Sequence, residues 1–569
     1  MKKVISIFLS LIMLLGCLNI ATFADEETPI VIVPGFMGSK LYLDSDFDDR
    51  VFGENGDINE FSKIEAKKLF VKEPINLQKA AEYGAGNKYK ALASVLCDTY
   101  PKRKVYFFSY DFTKNAQSAA FLLNEFLKTQ TKVILICHSY GGLVAASYLN
   151  ACGTSKVEKT ICIGVPFEGT VYAQMATDMG FIDGESISQL MPTDNYLKEV
   201  YGKDYVKNWT SDQGFLYNDS VPVMSEMDNV YYIMGGGMLT ASQLLYEDGQ
   251  IADISFDNDG DSTVTKASSS MMGKVSRTQG NNVAVFNVRH GEMLKSEDVA
   301  KYILSVLEGK NKYTNTAEAK GYDLVKVIGD VKVKLSGESG NIESTSMYVE
   351  NNYGVCIKPD SKNTIVAVTG EENCITMTGN SEGFVDLYVK SYDKNNKLSY
   401  NNTFIQIPVT KNAVVKSVIT DGDIWLYTDF DNDGVFDDSI KSEKDGQKLL
   451  VTDTPVASAV GGKYRRYVNV KLDTATKGGK IYYTLDGSDP ITKGKLYMGE
   501  LKIDQSCKLT AVTVKDKYTS GPVLVEEYII KQPNKVFIFV TAGIIILLAV
   551  IILVVILYNN RKRRKYVFR

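Results

Sequence analysis

The sequence predicts an α/β domain, followed by β-sandwich-like modules and a C-terminal transmembrane helix. Up to about residue 310, short wholly apolar runs alternate with stretches of helical spacing. Past residue 313, apolar residues alternate singly with polar ones. Residues 536–558 carry no charge. Strands buried on both faces read as continuous apolar runs, and their alternation with helices implies a mostly parallel sheet. Period-two alternation between polar turns marks strands with one wet face.

Taken in order, residues 1–24 have the form of a secretory signal peptide. Lys2 and Lys3 precede a mostly apolar stretch, and Thr22-Phe23-Ala24 offers a small-residue cleavage site before Asp25. Leu14-Leu15-Gly16-Cys17 supplies a lipoprotein cleavage box as the alternative. The α/β domain spans 25–310. Its apolar runs fall at 30–33, 105–108, 133–136, 160–165, 230–234 and 283–288, with helical spacing at 116–127 and 143–150. Residues 167–229 are polar, Tyr-rich and too long for a plain connection, so they are expected to cap a site. Ser296-Glu297-Asp298 reads as an N-cap with an acidic first turn, opening a helix to about Leu307.

An immunoglobulin-like β domain is expected at 313–412, from runs such as Val331-Lys332-Val333-Lys334-Leu335. A linker at 413–453 holds Asp429, Asp431, Asp433 and Asp437, acidic residues spaced as in the first half of a calcium loop. Ile440 stands where an EF-hand needs its bidentate Glu, which leaves a looser structural calcium turn or a solvated acidic loop. Within 454–531, the string from Lys480 to Pro490 and Lys508-Leu509-Thr510-Ala511-Val512 resemble the chitobiase/β-hexosaminidase C-terminal-like domain. That resemblance implies an accessory β module and glycan contact. Residues 536–558 would make roughly 34 Å of helix, enough to span a bilayer. The basic tail at 559–569 then keeps that end cytoplasmic and places the bulk of the chain outside.

The chain has 569 residues, 44% of them hydrophobic, and a net charge of −4. With no zinc-ligand spacing and no basic stripe before the last residues, nucleic acid is excluded as a partner. The eight cysteines are scattered. Cys97, Cys137, Cys152 and Cys162 are expected as buried thiols, and Cys356 with Cys374 as a pair whose bonding stays open. Sparse cysteines, richness in Lys, Asn, Ile and Tyr, and exported topology point to a bacterial cell-surface protein.

The chemistry centres on Val133-Ile134-Leu135-Ile136-Cys137-His138-Ser139-Tyr140-Gly141-Gly142-Leu143. This reads as buried strand, sharp turn and helix, with Ser139 at the apex. It resembles the G-x-S-x-G nucleophile elbow of α/β-hydrolases, with Cys137 in place of the first glycine. Serine needs a base within hydrogen-bond reach, and the base needs an orienting carboxylate. The chain has two histidines. His138 adjoins Ser139 and points away from its partner, which leaves His290, between a predicted strand and a helix. The acid must lie between serine and base in the chain. Asp257-Asn258-Asp259-Gly260-Asp261-Ser262-Thr263-Val264 supplies the candidates. Asp261 is the choice, because Gly260 to Val264 matches a Gly-Asp-x-Thr-Val string seen in lipases; Asp259 and Asp257 are the fallbacks. The oxyanion donors would be the backbone N–H groups of Tyr140 and of Phe36, in the loop after the first strand.

The string from Val33 to Leu41, the elbow, Gly164-Val165-Pro166-Phe167-Glu168-Gly169-Thr170, Leu190-Met191-Pro192-Thr193-Asp194-Asn195-Tyr196 and Gly260 to Val264 occur in that order. Together they resemble the lecithin:cholesterol acyltransferase-like family over roughly residues 28–308. The resemblance implies an α/β-hydrolase fold with a cap and a triad of Ser139, Asp261 and His290. It also implies oxyanion donors at Phe36 and Tyr140, and lipase, phospholipase or O-acyltransferase activity on acyl esters of lipid-like substrates without a catalytic cofactor. Tyr110-Asp111-Phe112-Thr113 departs from the family's Asp-Trp-Arg segment on the substrate side. An esterase of acylated wall glycans, or a non-catalytic surface-binding protein, are the competing expectations.

Overall fold

The structure is a computed structural model. It describes residues 27–565 apart from 55–68, 78–83, 181–183, 203–223, 276–279, 371, 421–422, 430–431, 437, 443–450, 477, 516–519 and 533–534. The expected leader at 1–24 lies outside the described residues. The chain divides into two compact units. One holds the described residues up to 378 with 388–402 and 414–445; the other holds 379–387, 403–413 and the remainder.

The first unit contains an eight-stranded sheet. In chain order its strands are β1 Ile30–Val33, β2 Ile75–Asn76, β3 Val105–Phe107, β4 Val133–His138, β5 Val157–Ile163 and β6 Val230–Gly235. An antiparallel hairpin of β7 Met238–Glu247 and β8 Gln250–Gly260 follows outside the sheet, and β9 Val283–Phe286 and β10 Thr314–Asn315 complete it. The spatial order is β10-β9-β6-β5-β4-β1-β3-β2. Every pairing is parallel except that of β2 with β3.

Helices α1 Lys90–Thr99, α2 Ala116–Leu127, α3 Tyr140–Cys152, α4 Val171–Asp178, α5 Glu185–Leu190 and α6 Glu297–Leu307 connect the strands. Successive strand side chains point to opposite faces, and here both faces are covered. Val31, Val33, Leu135 and Cys137 pack with Leu123 of α2 and Val144 of α3. Ile30, Ile32, Ile134 and Ile136 pack with Leu96 of α1 and Ile303 of α6. This explains why β1 and β4 are continuous apolar runs with all residues buried. Strand order, parallel register and the β4-turn-α3 elbow are those of an α/β-hydrolase domain.

Helix α6 begins where expected, with the Ser296 hydroxyl accepting from the Val299 N–H. The β7–β8 hairpin was not expected from the sequence; its bulged register breaks a clean alternation. The first part of the expected cap is helical, in α4 and α5, and residues 203–223 lie outside the described residues. Cys152 is exposed, contrary to expectation, because it closes α3 at the surface; Cys137 and Cys162 are buried.

Two six-stranded sheets follow, as β-sandwich-like modules require. One runs Tyr348–Glu350, Gly354–Ile357, Asn363–Thr369, Tyr322–Ile328, Gly383–Tyr392 and Leu398–Val409; the other runs Gly340–Glu343, Val331–Gly337, Cys374–Gly379, Val414–Thr420, Asp423–Asp429 and Asp438–Ser442. The last three strands correct the expectation of a linker at 413–453. Val415, Ile419, Ile424 and Leu426 are buried at sheet periodicity, a pattern overshadowed in the sequence by the acidic run beside it. Cys356 and Cys374 are free thiols on different sheets.

In the acidic loop, the Asp429 carboxylate accepts the N–H groups of Asp433 (3.2 Å) and Gly434 (3.0 Å). Asp433 accepts the Val435 N–H at 2.7 Å. Asp431 and Asp437 lie outside the described residues.

In the second unit, residues 456–531 form a β module around Val470, Leu472, Leu509, Ala511 and Tyr528. In its Asp486-Gly487-Ser488-Asp489-Pro490 turn, Thr484 and Thr510 both donate to the Ser488 carbonyl. Lys535–Lys565 is a single helix, and it contains a stretch long and apolar enough to cross a membrane.

Candidate active site

Ser139 occupies the turn from β4 to α3 with φ 53° and ψ −126°. A non-glycine residue with positive φ is strained and persists only where its surroundings over-determine it. The Ser139 N–H donates to the Ile163 carbonyl at 2.8 Å, tying the apex to β5. A Cβ on Gly141 would fall 2.3 Å from the Val33 carbonyl oxygen, and one on Gly142 2.2 Å from the Val165 side chain. Glycine at these two positions therefore lets the first turn of α3 rest directly on the ends of β1 and β5. Cys137 pairs with Val33 and Cys162 in the buried sheet and has no positive φ. The elbow's first position is here an ordinary core slot, which is why a thiol replaces glycine.

The structure brings Ser139, His290 and Asp261 together from three separate loops. His290 Nε2 lies 3.0 Å from Ser139 Oγ, and His290 Nδ1 lies 2.7 Å from Asp261 Oδ2. The His290 N–H also donates to the Asp261 carbonyl at 2.7 Å, so backbone and side chain hold the two loops in register. The other Asp261 oxygen accepts the N–H groups of Thr263 (3.0 Å) and Val264 (2.6 Å). That accounts for the Gly-Asp-x-Thr-Val string: the residues after the acid clamp its carboxylate. Room for the trio comes from Gly235, where a Cβ would lie 2.2 Å from Asp261 Cβ.

The fallback acids point elsewhere. Asp259 forms an ion pair with Lys266, and Asp257 accepts the Asp259 N–H at 3.0 Å.

Burial pulls the His290 imidazole toward its neutral form. The adjacent Asp261 carboxylate outweighs this, with a further contribution from Glu350, and the ring is held above the ordinary histidine range. His138 behaves in the opposite way. Burial keeps it well below that range. Its Nδ1 lies 3.1 Å from the hydroxyl of Tyr89, which itself accepts the Gly35 N–H at 2.7 Å. The Tyr89 hydroxyl therefore links a neutral His138 to the Gly35 N–H. His138 thus braces the loop after β1.

That loop carries Phe36. A Cβ on Gly35 would come 2.8 Å from Ser139 Cβ, so the loop lies directly against the serine. Tyr110 supports it from behind, its hydroxyl donating to the Pro34 carbonyl at 2.6 Å and its N–H to the Ser39 hydroxyl at 3.1 Å. The Phe36 ring packs edge-on against Phe112 at 5.1 Å. Residues 110–112 therefore pack on the loop beside the serine. Tyr140 is the first residue of α3, and its hydroxyl donates to Gln189 of α5 at 2.8 Å.

Two other ordered strings are structural. Glu168 accepts from the Thr193 hydroxyl and from Asn195 Nδ2 (3.0 Å), and the Thr170 N–H donates to the Leu190 carbonyl at 2.8 Å. Tyr89 was missed in the sequence: it sits in no motif, and three-dimensional packing alone brings it to the site.

Residues 459–525 match the chitobiase/beta-hexosaminidase C-terminal domain family. No curated protein matches the chain by sequence. Among solved structures, the chain is similar to the Bacillus licheniformis lipase BlEst2 in its propeptide form, at 13% identity and TM-score 0.31, covering 73% of this chain and 93% of that one. It is also similar to Tle4 in its complex with Tli4, at 11% identity and TM-score 0.34, covering 49% and 98%. The carboxylesterase CesB from Bacillus subtilis aligns at 12% identity and TM-score 0.27, covering 50% and 85%. At these scores the superpositions carry no argument of their own. The fold assignment rests on the chain's own strand order and elbow.

Proposed function

We propose that this chain is a membrane-anchored serine hydrolase that cleaves acyl esters of lipid-like substrates outside the cell. The observation that carries the reading is the continuous hydrogen-bonded line Ser139–His290–Asp261 beneath a strained elbow. In this reading Ser139 Oγ attacks the ester carbonyl carbon while His290 Nε2 takes its proton. Asp261 holds the ring in the tautomer that leaves Nε2 free to accept, and stabilises the imidazolium. The N–H groups of Phe36 and Tyr140 receive the tetrahedral oxyanion; loss of one such donor costs about 10²–10³ in turnover. The imidazolium then protonates the leaving alkoxide. The acyl-enzyme passes to water, or to an acceptor alcohol if the enzyme is a transferase.

Several parts of the chain support this setting. The apolar helix at Lys535–Lys565 and the basic residues that end it fit a single-pass anchor with the hydrolase outside. The lecithin:cholesterol acyltransferase-like strings favour lipid esters. The chitobiase-like match at 459–525 favours a second reading, an esterase of acylated wall glycans. No metal has a role in either; calcium in the 429–437 loop is a separate structural proposal.

Hydrolysis assays with phospholipid, triglyceride and acetylated glycan test the choice. The leading reading predicts turnover of the lipid esters that Ser139→Ala abolishes. Turnover confined to acetylated glycan selects the second reading. No turnover of any ester would leave a surface-binding protein on a hydrolase scaffold.

A further inference from the structure

Arg289 immediately precedes His290 and opens the short 3-10 turn His290–Lys295. Its carbonyl accepts the N–H groups of Glu292 (2.9 Å) and Met293 (3.1 Å), so the position of Arg289 sets the start of the loop that presents the imidazole. The Arg289 guanidinium is paired with the carboxylate of Glu350, and each of these side chains is only 18% exposed.

Glu350 does not belong to the α/β domain. It ends the edge strand Tyr348–Glu350 of the first β-sandwich sheet. Its second oxygen accepts the Tyr348 hydroxyl at 2.7 Å, and the Tyr348 ring stands edge-on to Tyr172 of α4 at 5.6 Å. The β strand therefore holds the carboxylate against the loop of the candidate base.

The contact is part of a wider seam. Val171, Met175, Leu244 and Ile254 from the α/β domain share one buried apolar cluster with Leu324, Val355 and Ile365 from the sandwich. The Tyr322 hydroxyl donates to the Phe256 carbonyl at 3.0 Å, and Asn258 Nδ2 donates to the Lys320 carbonyl at 2.9 Å. This apolar seam already supplies adhesion. A buried ion pair is a weak source of stability, because desolvation offsets most of its Coulomb gain. A pair placed one residue from the imidazole is better explained by what it does to the imidazole.

We propose that Glu350 is a positioning residue of the active site, donated by the β-sandwich, which fixes the His290 loop through Arg289 and adds negative charge behind the ring. The sandwich is then a working part of the hydrolase and not a spacer between it and the membrane. The proposal rests on the reading of Ser139–His290–Asp261 as a catalytic triad.

The groups that act on His290 are Asp261 and Glu350, which favour the charged ring, Lys88 and burial, which oppose it, the Arg289 cation paired with Glu350, and the neutral His138 ring at 5.0 Å. Removing the Glu350 charge must lower the His290 pKa. The test is Glu350→Gln in the full chain, read by NMR titration of the His290 ring and by the pH profile of kcat/KM. With only two histidines and His138 held neutral, the titrating imidazole signal is His290.

The expected result is a resolved downward move of the His290 titration and of the acid limb. It comes with a several-fold fall in kcat at neutral pH and little change in KM for a small soluble ester. Arg289→Met combined with Glu350→Met fills the same space and removes one charge of each sign, so the folded double variant must show a smaller move of the titration than Glu350→Gln but the same fall in kcat. Wild-type titration and kcat in folded Glu350→Gln, or wild-type kcat in the folded double variant, would overturn the proposal. The NMR arm needs no turnover, so an inactive wild type would count against the triad reading while the titration still decides the role of Glu350.

Discussion

At the residue scale, the proposed chemistry turns on the state of His290. The ring must be neutral to accept the serine proton, and its neighbours hold its pKa above the ordinary histidine range. A raised pKa keeps the ring protonated to higher pH, so kcat/KM should rise with pH along an acid limb centred above about 6.5. A limb centred below about 6 in the wild type would contradict this. The Ser139–His290–Asp261 arrangement was legible in the sequence because a chain with two histidines leaves few assignments, and because Gly260 to Val264 is a clamp whose residues are adjacent. Its supports were not legible. Tyr89 and Glu350 reach the site from distant segments, and nothing in their local spacing anticipates a contact made by tertiary packing.

At the element scale, the elbow depends on how closely α3 can approach the sheet. Gly142 lies where a methyl group would meet Val165 at 2.2 Å. Overpacking of this kind costs about 1–3 kcal/mol. Gly142→Ala should therefore lower the thermal midpoint by several degrees and cut turnover; an unchanged midpoint and rate would show that the approach is not constrained. Strands β1 and β4 were legible because burial on both faces writes itself as an unbroken apolar run. The β7–β8 hairpin was not, because its register bulges interrupt the alternation. The strands at 414–442 were missed for a different reason: their alternate buried residues flank an acidic loop that carries the louder compositional signal.

At the scale of the whole molecule, the chain combines an α/β-hydrolase domain, β-sandwich-like modules and an apolar helix whose side chains are exposed along the stretch long enough to cross a membrane. Ending the chain after Lys531 should release it from the membrane fraction with turnover of a soluble ester intact, whereas the full chain should sediment with membranes. Retention of the shortened chain would place the anchor elsewhere. Both hydrolase readings depend on Ser139 being a working nucleophile, and labelling of the folded full chain with a fluorophosphonate probe tests that most directly. Modification should occur at Ser139 alone and be lost in Ser139→Ala. It should fall by about 10⁴-fold or more in rate in His290→Ala. Absence of labelling at Ser139 in folded protein, or a His290→Ala rate equal to wild type, would contradict the account.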